Sequence, residues 1–530
     1  MKKRTPKNKI SLITFLFLIY STILFLPRLI SSLTKSDYFN GDFAFYYFLT
    51  KDIVINHDLP LLGHVVGEIG GFAQGPLWSY LLVPFFIIFN GDPIGGKLFM
   101  LLTSLVIYFT GVLFAWKKLG KLEGISTAFF LGSSPYLIKW TNLAWPPYIV
   151  PLLMILYFLF LYLFLSKKEN KYFYASSLSL SLMAHFEIAS LGLLLPSFII
   201  ILFYFVYRKL LNLKSTTTSL IIFSISFIPH LIYDLTHNFY NTRGFLSILF
   251  GTKNSESYPI LLALRDRLHL IKTDLSAVFS IHDFRILLII FVFLIFGTYL
   301  YIKDRKIKIW KKIFIANFLV IICTTFIGLI LIPVERASFW WITYLTITYI
   351  FFSGIILGYM FRRNILFKLI ISLIFLISIY SFFQNTNSLI NIYQQYKNLK
   401  NEIRIQDPIE YVYFDSKNQA FNVIFLTGGE KIIDYKYMFS QTEKKHNTYF
   451  YPTNINPSFT SGGGKPTYIK EIRQFDNLSS GTYYIIISNQ SIESGYAKRI
   501  LDRNNFGEII YTKKINDRNE GFTIQKRILN

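Results

Sequence analysis

Long apolar runs separated by short basic segments fill the chain as far as about Phe383. The runs can cross the ~30 Å hydrocarbon core of a bilayer as helices. They lie near Ile10–Leu33, Ile94–Trp116, Gly124–Lys139, Trp145–Leu165, Tyr172–Ser190, Leu191–Tyr207, Leu220–Leu235, Phe284–Ile302, Ile313–Pro333, Phe339–Phe361 and Ile365–Phe383, which predicts about eleven crossings. The first run follows the basic start MKKRTPKNK. It is too long for a secretory signal and no A-x-A site follows it, so it is expected to remain as a helix with its N-terminus inside.

Charge gives these runs an orientation, because cytoplasmic loops hold the excess of Lys and Arg. Every second loop is basic: Lys117, Lys118 and Lys121, then Lys167, Lys168 and Lys171, then Arg208, Lys209 and Lys214, then Lys303 to Lys312, then Arg362 and Arg363. Tyr172–Tyr207 has basic loops at both ends and must cross twice, which puts His185 and Glu187 near an outer turn. An odd number of crossings leaves Gln384–Asn530 outside. Leu77–Phe89 is too short to cross and contains Pro84, as an interfacial or re-entrant helix would. The whole of Thr34–Pro93 is therefore expected to be one large outer loop. In it, Asp42–Asn56 carries Phe43, Tyr46, Tyr47, Thr50 and Val54 on one helical face, with Lys51 and Asp52 on another, as an amphipathic surface helix does.

After a linker over 384–402 the pattern changes. In residues 403–530, Glu410–Phe414, Thr482–Ser488 and Glu508–Thr512 alternate as strands do, and Glu493–Arg503 has a helical period, predicting a small extracytoplasmic α+β domain. Ser461–Gly464 is a glycine loop without the Lys-Ser/Thr and helix of a phosphate-binding motif.

Composition narrows the class further. Hydrophobic residues make up 53% of the chain and charged residues 16%, against about 25% charged in soluble domains. With a mean hydropathy of +0.42, this excludes both a soluble globule and a disordered chain. The net charge of +24 would suggest nucleic acid in a soluble protein. Here much of it is orientation signal in the loops, and no nucleic-acid partner is expected. The single cysteine, Cys323, lies inside an apolar run, so no intramolecular disulfide forms.

Chemistry concentrates in the outer loop, which holds Asp37, Asp42, Asp52, Asp58, Glu68 and Asp92, with His57 and His64 as possible donors. Such a layout suits a substrate with its head group in water and its tail in lipid. Four pieces stand in order there: Asn40-Gly41-Asp42-Phe43-Ala44-Phe45-Tyr46, Leu59-Pro60-Leu61-Leu62-Gly63, Gln74-Gly75-Pro76-Leu77-Trp78 and Asn90-Gly91-Asp92-Pro93. Trp145-Pro146-Pro147 follows, and then Pro229-His230-Leu231-Ile232-Tyr233-Asp234 through His237-Asn238 to Thr242-Arg243. This order resembles the GT-C glycosyltransferases, in particular the bacterial relatives of protein O-mannosyltransferases and aminoarabinose transferases. The resemblance covers roughly the first 245 residues well; beyond them only the pattern of spans agrees.

The resemblance implies a GT-C-like polytopic fold and transfer of one sugar from a polyprenyl-phosphate donor, with Asp42 as the catalytic base. Phe43 and Phe45 stand where the family has an acid and an arginine, although Tyr46 keeps the tyrosine. Gln74 replaces the lysine that helps hold the donor phosphate, so phosphate binding must come from elsewhere. Candidate cations are His237, Arg243, Arg265, Arg267 and Arg336, since arginine can grip phosphate oxygens bidentately. One carboxylate suffices, because the acceptor hydroxyl needs a base while the phosphate leaves without protonation.

Tyr46, Glu68, Gln74, His185 and Glu187 are the candidate substrate contacts. Plainer roles stand beside these: Asp42 as a helix cap, His185 and Glu187 as an interfacial turn, Glu335 with Arg336 as a local ion pair, Arg265–Arg267 as a solvated charge run, and Trp340 and Trp341 as interfacial aromatics. No cluster has metal spacing. A metal requirement stays open, because Asp42 could meet Glu68 or Asp234 in space. The expected partners are the lipid-linked donor, membrane lipid, and an envelope glycan, lipid or protein acceptor. The rival class is a transporter or flippase of lipid-linked glycans. It predicts internal repeats and charges near mid-span, whereas no repeat is found and the acids gather in the outer loop.

Overall fold

In the computed structural model the apolar runs are helical, the form in which a chain satisfies its own backbone polar groups without water. The structure describes residues 12–33, 41–63, 73–250, 260–331 and 339–398, six C-terminal strands, and residues 411–412, 414–416, 421 and 501. The helices are α1 (Leu12–Leu33), α2 (Gly41–Lys51), α3 (Leu77–Ile88), α4 (Ile94–Phe114), α5 (Lys121–Ser133), α6 (Pro135–Lys139), α7 (Val150–Lys167), α8 (Asn170–Ser181), α9 (Ile188–Tyr207), α10 (Leu213–Ile225) and α11 (Ile228–Thr236). There follow α12 (Tyr240–Phe250), α13 (Ile260–Phe279), α14 (Phe284–Lys303), α15 (Ile309–Leu331), α16 (Thr343–Phe361) and α17 (Ile365–Asn398). The chain divides into two compact units, Met1–Ser36 with Lys97–Ile390 and Asp37–Gly96 with Asn391–Asn530.

The first unit is a helical bundle, and the chain is a multi-pass membrane protein. Eight helices are long and apolar enough to cross a bilayer: α1, α4, α7, α9, α14, α15, α16 and α17. The other three expected crossings are helical but broken. Pro135 cannot donate a backbone N–H, and the chain turns at Ser134 between α5 and α6. α8 ends after 12 residues in a 3-10 turn over Leu182–His185. α10 and α11 meet at 60°, where Pro229 enters the first turn of α11. α8 packs on α10 through serine pairs, Ser177 with Ser219 at 2.6 Å and Ser181 with Ser226 at 2.8 Å, the small polar contacts that let membrane helices approach closely. In α16 every residue from Thr343 to Met360 is buried, which places this helix in the bundle core.

The basic loops gather at one end of the bundle. Arg362 pairs with Glu123, and Arg363 Nη2 lies 2.7 Å from Asp304 Oδ2. Tyr162 near the end of α7 donates to the Lys118 carbonyl and packs its ring 5.0 Å from Trp310. Asn170 donates to Ser215 at 2.6 Å, joining the first turns of α8 and α10. The opposite end is aromatic and polar: Trp145 lies 5.1 Å from Trp340, and Ser190 donates to the Trp341 carbonyl at 2.8 Å. α1 starts at the basic end, where Phe17 stacks on Trp116 at 3.7 Å, and Arg28 near its other end donates to the Leu131 carbonyl.

In the second unit, α2 continues into a π-helical turn over Asp52–Asn56, which ends at His57 in the left-handed region (φ 57°). The expected single helix over Asp42–Asn56 thus changes type after Lys51. Lys51, expected on the polar face, is buried. The C-terminal residues form a six-stranded sheet, β1 (Asn422–Leu426), β2 (Asn447–Phe450), β3 (Ile469–Glu471), β4 (Gly481–Ser488), β5 (Glu508–Ile515) and β6 (Phe522–Leu529), in the order β3-β2-β1-β4-β6-β5. β1 pairs parallel with β2 and β4, and β6 runs antiparallel between β4 and β5. The strands expected near Thr482–Ser488 and Glu508–Thr512 are β4 and β5. The strand expected over Glu410–Phe414 is not formed, since residues 411–412 and 414–416 are helical. Asp415 explains this: its Oδ2 accepts from Lys526 Nζ at 2.8 Å and from the Tyr484 hydroxyl at 2.5 Å, so the segment lies across the sheet rather than within it. Of the helix expected over Glu493–Arg503 only Leu501 is among the described residues, and it is helical; Ser461–Gly464 lies outside them.

Candidate functional site

α2 is held by its aromatic face. Phe43, Tyr46, Tyr47 and Thr50 recur at helical spacing and are all buried. Phe43 meets Tyr47 edge-on at 4.5 Å, Tyr46 meets Trp78 of α3 at 6.2 Å, and Thr50 Oγ1 donates to the Ser79 carbonyl at 3.2 Å. This packing fixes the first turn of α2, where Asp42 is the second residue. The Tyr46 hydroxyl donates to Gln74 Oε1 at 3.4 Å, so two of the candidate substrate residues meet. The Gln74 carbonyl in turn accepts from the Gly63 N–H at 2.8 Å. A side chain at Gly63 would bring its Cβ within 2.7 Å of the Gly75 carbonyl oxygen, which explains glycine at the end of the Leu59–Gly63 piece.

The remaining acids of the loop divide by environment. Asp92 caps α4, its Oδ1 accepting from the Ile94 N–H at 2.8 Å, with Asn90 (φ 49°) and Gly91 (φ 77°) making the turn before it. Asp52 is pushed up to about 6 by partial burial and by neighbouring Asp58, against the opposing hydrogen bond from Asn56. Burial also lowers Lys51, opposed by the charge of Asp52. Glu68, His64 and Arg336 lie outside the described residues, as does Glu335.

In the bundle, His185 and Glu187 sit at the aromatic end and are both buried. Glu187 caps α9, its Oε1 accepting from the Ala189 N–H at 3.2 Å. The His185 ring lies 6.1 Å from that of His230 on α11. Asp234, also on α11, binds the start of α12: its carboxylate accepts from the Asn241 and Thr242 N–H groups at 2.8 and 3.0 Å and from the Thr242 hydroxyl at 2.5 Å. That clasp orients the turn of α12 that carries Arg243, whose side chain is exposed. His237 ends α11 and stacks on Tyr233 at 3.9 Å, its Nδ1 within 2.9 Å of the Tyr233 carbonyl. His237 and Arg243 thus flank one short turn.

Two cations behave differently from one another although only two residues apart. Arg265 is exposed and pairs with Asp266 at 3.3 Å, as expected of a solvated charge run. Arg267 is buried and its Nε donates to the Leu329 carbonyl at 3.1 Å, so it is a structural contact between α13 and α15. Sequence reasoning passed over several buried charged residues, Lys97, Glu123, Asp274 and Arg28 among them. Asp274 of α13 accepts from Thr346 Oγ1 of α16 at 2.5 Å, while its Oδ2 has no partner. Arg28 of α1 is fully buried. Its signal was available: an arginine inside an apolar run is costly unless it has a task. Among the described residues no group of three or more His, Cys, Asp or Glu is placed to hold a metal ion.

The chain has a GT-C-like fold. Over 96% of its length it superposes on 97% of the chain in a structure of ArnT from Cupriavidus metallidurans bound to undecaprenyl phosphate, with a TM-score of 0.59 at 8% identity. The apo state of the same protein matches over the same shares, with a TM-score of 0.59 at 10% identity. The archaeal oligosaccharyltransferase AglB from Archaeoglobus fulgidus matches over 81% of this chain and 64% of its own, with a TM-score of 0.48 at 11% identity. No protein-family model matches the sequence, and neither does any curated protein.

Proposed function

We propose that the chain is an integral-membrane glycosyltransferase that moves a monosaccharide from a polyprenyl-phosphate carrier to a cell-envelope acceptor on the outer face. The observation that carries the reading is the whole-length fold likeness to ArnT, one structure of which holds undecaprenyl phosphate. In this reading Asp42 takes the proton of the acceptor hydroxyl as that oxygen attacks the anomeric carbon, and the lipid phosphate leaves with the bonding electrons. The rigid aromatic seat of α2 serves the base by fixing its backbone. Arg243 and His237, with Arg336, are the proposed cations for the leaving phosphate. Tyr46, Gln74, His185 and Glu187, with Glu68, are the proposed substrate contacts.

The test is transfer by purified protein from polyprenyl-phosphate sugars to envelope extracts, read by mass spectrometry of the glycan product. Asp42→Asn keeps the shape of the carboxylate and loses the proton acceptor. It is expected to insert and fold as wild type and to lower turnover by about 10²–10⁴. Turnover within a few-fold of wild type would return Asp42 to a capping role. Absence of transfer from every donor tried, by wild-type protein that remains folded, would refute the enzyme reading.

A further inference from the structure

Arg28 is the single charged residue of α1, and its side chain is fully buried. Nη2 donates to the Leu131 carbonyl, while Nε and Nη1 have no hydrogen-bond partner in the protein. Among the described residues no carboxylate pairs with the guanidinium. The rings of Tyr108 and Phe25, centred 5.1 and 5.8 Å from it, offset part of the cost of burying the charge. Two demands are left: N–H donors to which the protein supplies no acceptor, and a permanent positive charge without a counter-charge.

The same side chain lines a cavity of about 10 Å³, together with Ser104 and Ile107 of α4, Leu137 of α6, and Trp140 and Thr141 in the turn after α6. A space of that size holds one water-sized body. It excludes phosphate, sulfate, carboxylates and the other polyatomic oxyanions, whereas a monatomic halide is only slightly wider than water. The Thr141 hydroxyl is already used, donating to the Ile138 carbonyl, and the Ser104 hydroxyl can donate inward. No carboxylate is among the described residues of the wall. A water in this place would accept from the guanidinium but leave its charge uncompensated. A halide accepts the same N–H groups and supplies the negative charge as well, and that attraction is far stronger here than in bulk water.

We infer that the cavity beside Arg28 binds one monatomic halide, chloride under physiological conditions, as the counter-ion of the guanidinium. The free N–H groups of Arg28 and the Ser104 hydroxyl are its donors. The wall is drawn from α1, α4 and α6, so the ion fastens the first helix to the bundle. It does so away from the basic loops, since α1 begins beside Trp116 and reaches Leu131 at Arg28. The site involves neither a sugar donor nor an acceptor and stands or falls independently of the transfer reading.

The test uses the full chain in detergent, with sodium chloride, bromide and gluconate at equal ionic strength. Gluconate is polyatomic and too large for the cavity. Chloride in place of gluconate is expected to raise the melting temperature of wild type by about 2–4 °C, with saturation rather than a steady rise. Arg28→Gln should abolish that shift. Ser104→Val keeps the charge but fills the space with methyl groups; it should abolish the shift as well, and it decides the matter if Arg28→Gln does not fold. Crystals of wild type grown with bromide should show its anomalous signal within hydrogen-bond reach of the Arg28 guanidinium. Equal melting temperatures of wild type in chloride and gluconate would overturn the proposal: with no bromide at Arg28 the occupant is a water, and with bromide there it is an adventitious ion only. A chloride shift of full size in a folded Arg28→Gln, or in Ser104→Val, would place the ion elsewhere and overturn it equally.

Discussion

Asp52 shows how much a single side chain's surroundings matter in the loop between α1 and α4. Its carboxyl is held up to about 6 by partial burial and by Asp58, so the folded protein keeps the proton that an unfolded chain has already lost. Below the ordinary aspartate value of 3.8 both states hold the proton and the group contributes nothing. A penalty grows as pH climbs from 3.8 toward 6, and above that it is constant. Asp52→Asn is therefore expected to raise the melting temperature at pH 8 and to leave it nearly unchanged at pH 4. The gain should be small, because the group is partly open to solvent. Equal shifts at both pH values would mean that charge is not the cause. Other residues were legible to different degrees. Tyr46 and Gln74 were singled out as separate pieces and do meet. Arg267 was grouped with Arg265 because charge runs usually lie in water. Residues two apart on a helix point some 200° away from each other, and here one faces out and the other in. Arg28 escaped notice because a run that is apolar all round carries no periodicity to say which face is buried.

Among the elements, the long apolar runs were the easiest to find and the broken ones the hardest to delimit. Length and hydropathy identify α4, α7, α14, α15 and α16 directly, since nothing in those runs competes with a straight helix. The segments around Pro135, Leu182 and Pro229 have similar hydropathy. Their breaks depend on proline geometry and on serine contacts between α8 and α10, which single-chain periodicity does not report. The strand expected over Glu410–Phe414 failed for a comparable reason. Its alternation is that of a segment with one buried face, and tertiary contacts through Asp415 made that face part of a helical turn. These contacts give an element-scale prediction. Burial raises the Asp415 carboxyl, but the Lys526 ammonium and the Tyr484 and Tyr511 hydroxyls outweigh it and hold the group below the usual range. Asp415→Ala removes the anchor and leaves Lys526 without its partner, at a cost of about 1–3 kcal/mol. Faster hydrogen exchange is expected in β4 and β6 and in residues 411–416, with the helical bundle unaffected. Unchanged exchange in β6 would mean that the segment is held by its apolar contacts instead.

For the molecule as a whole, alternation of basic loops carried the most information. Five loops far apart in sequence were assigned to one side by charge alone, and contacts such as Arg363 with Asp304 and Tyr162 with Lys118 bring them together. Assignment of that end to the cytoplasm rests on the positive-inside rule, and the proposed transfer, with Asp42 as base, requires Asp42 on the other side. Three positions decide between this orientation and its inverse. Leu59 in the loop between α1 and α4, Ile510 on β5 and Lys306 in the basic loop after α14 are all exposed, so a cysteine at any of them meets reagent once its compartment is open. Cys323 is the only native thiol and is exposed on α15, so it must be removed first. In a Cys323→Ser background, Leu59→Cys and Ile510→Cys are expected to react with a membrane-impermeant maleimide on intact cells. Lys306→Cys should react only after permeabilisation. Labelling of Lys306→Cys on intact cells, with Leu59→Cys protected, would invert the bundle and remove Asp42 from the outer face. Protection of Ile510→Cys alone would leave the base in place and require an odd number of crossings between the loop and the C-terminal sheet, which the bent α10–α11 pair makes possible by counting or not counting as a span.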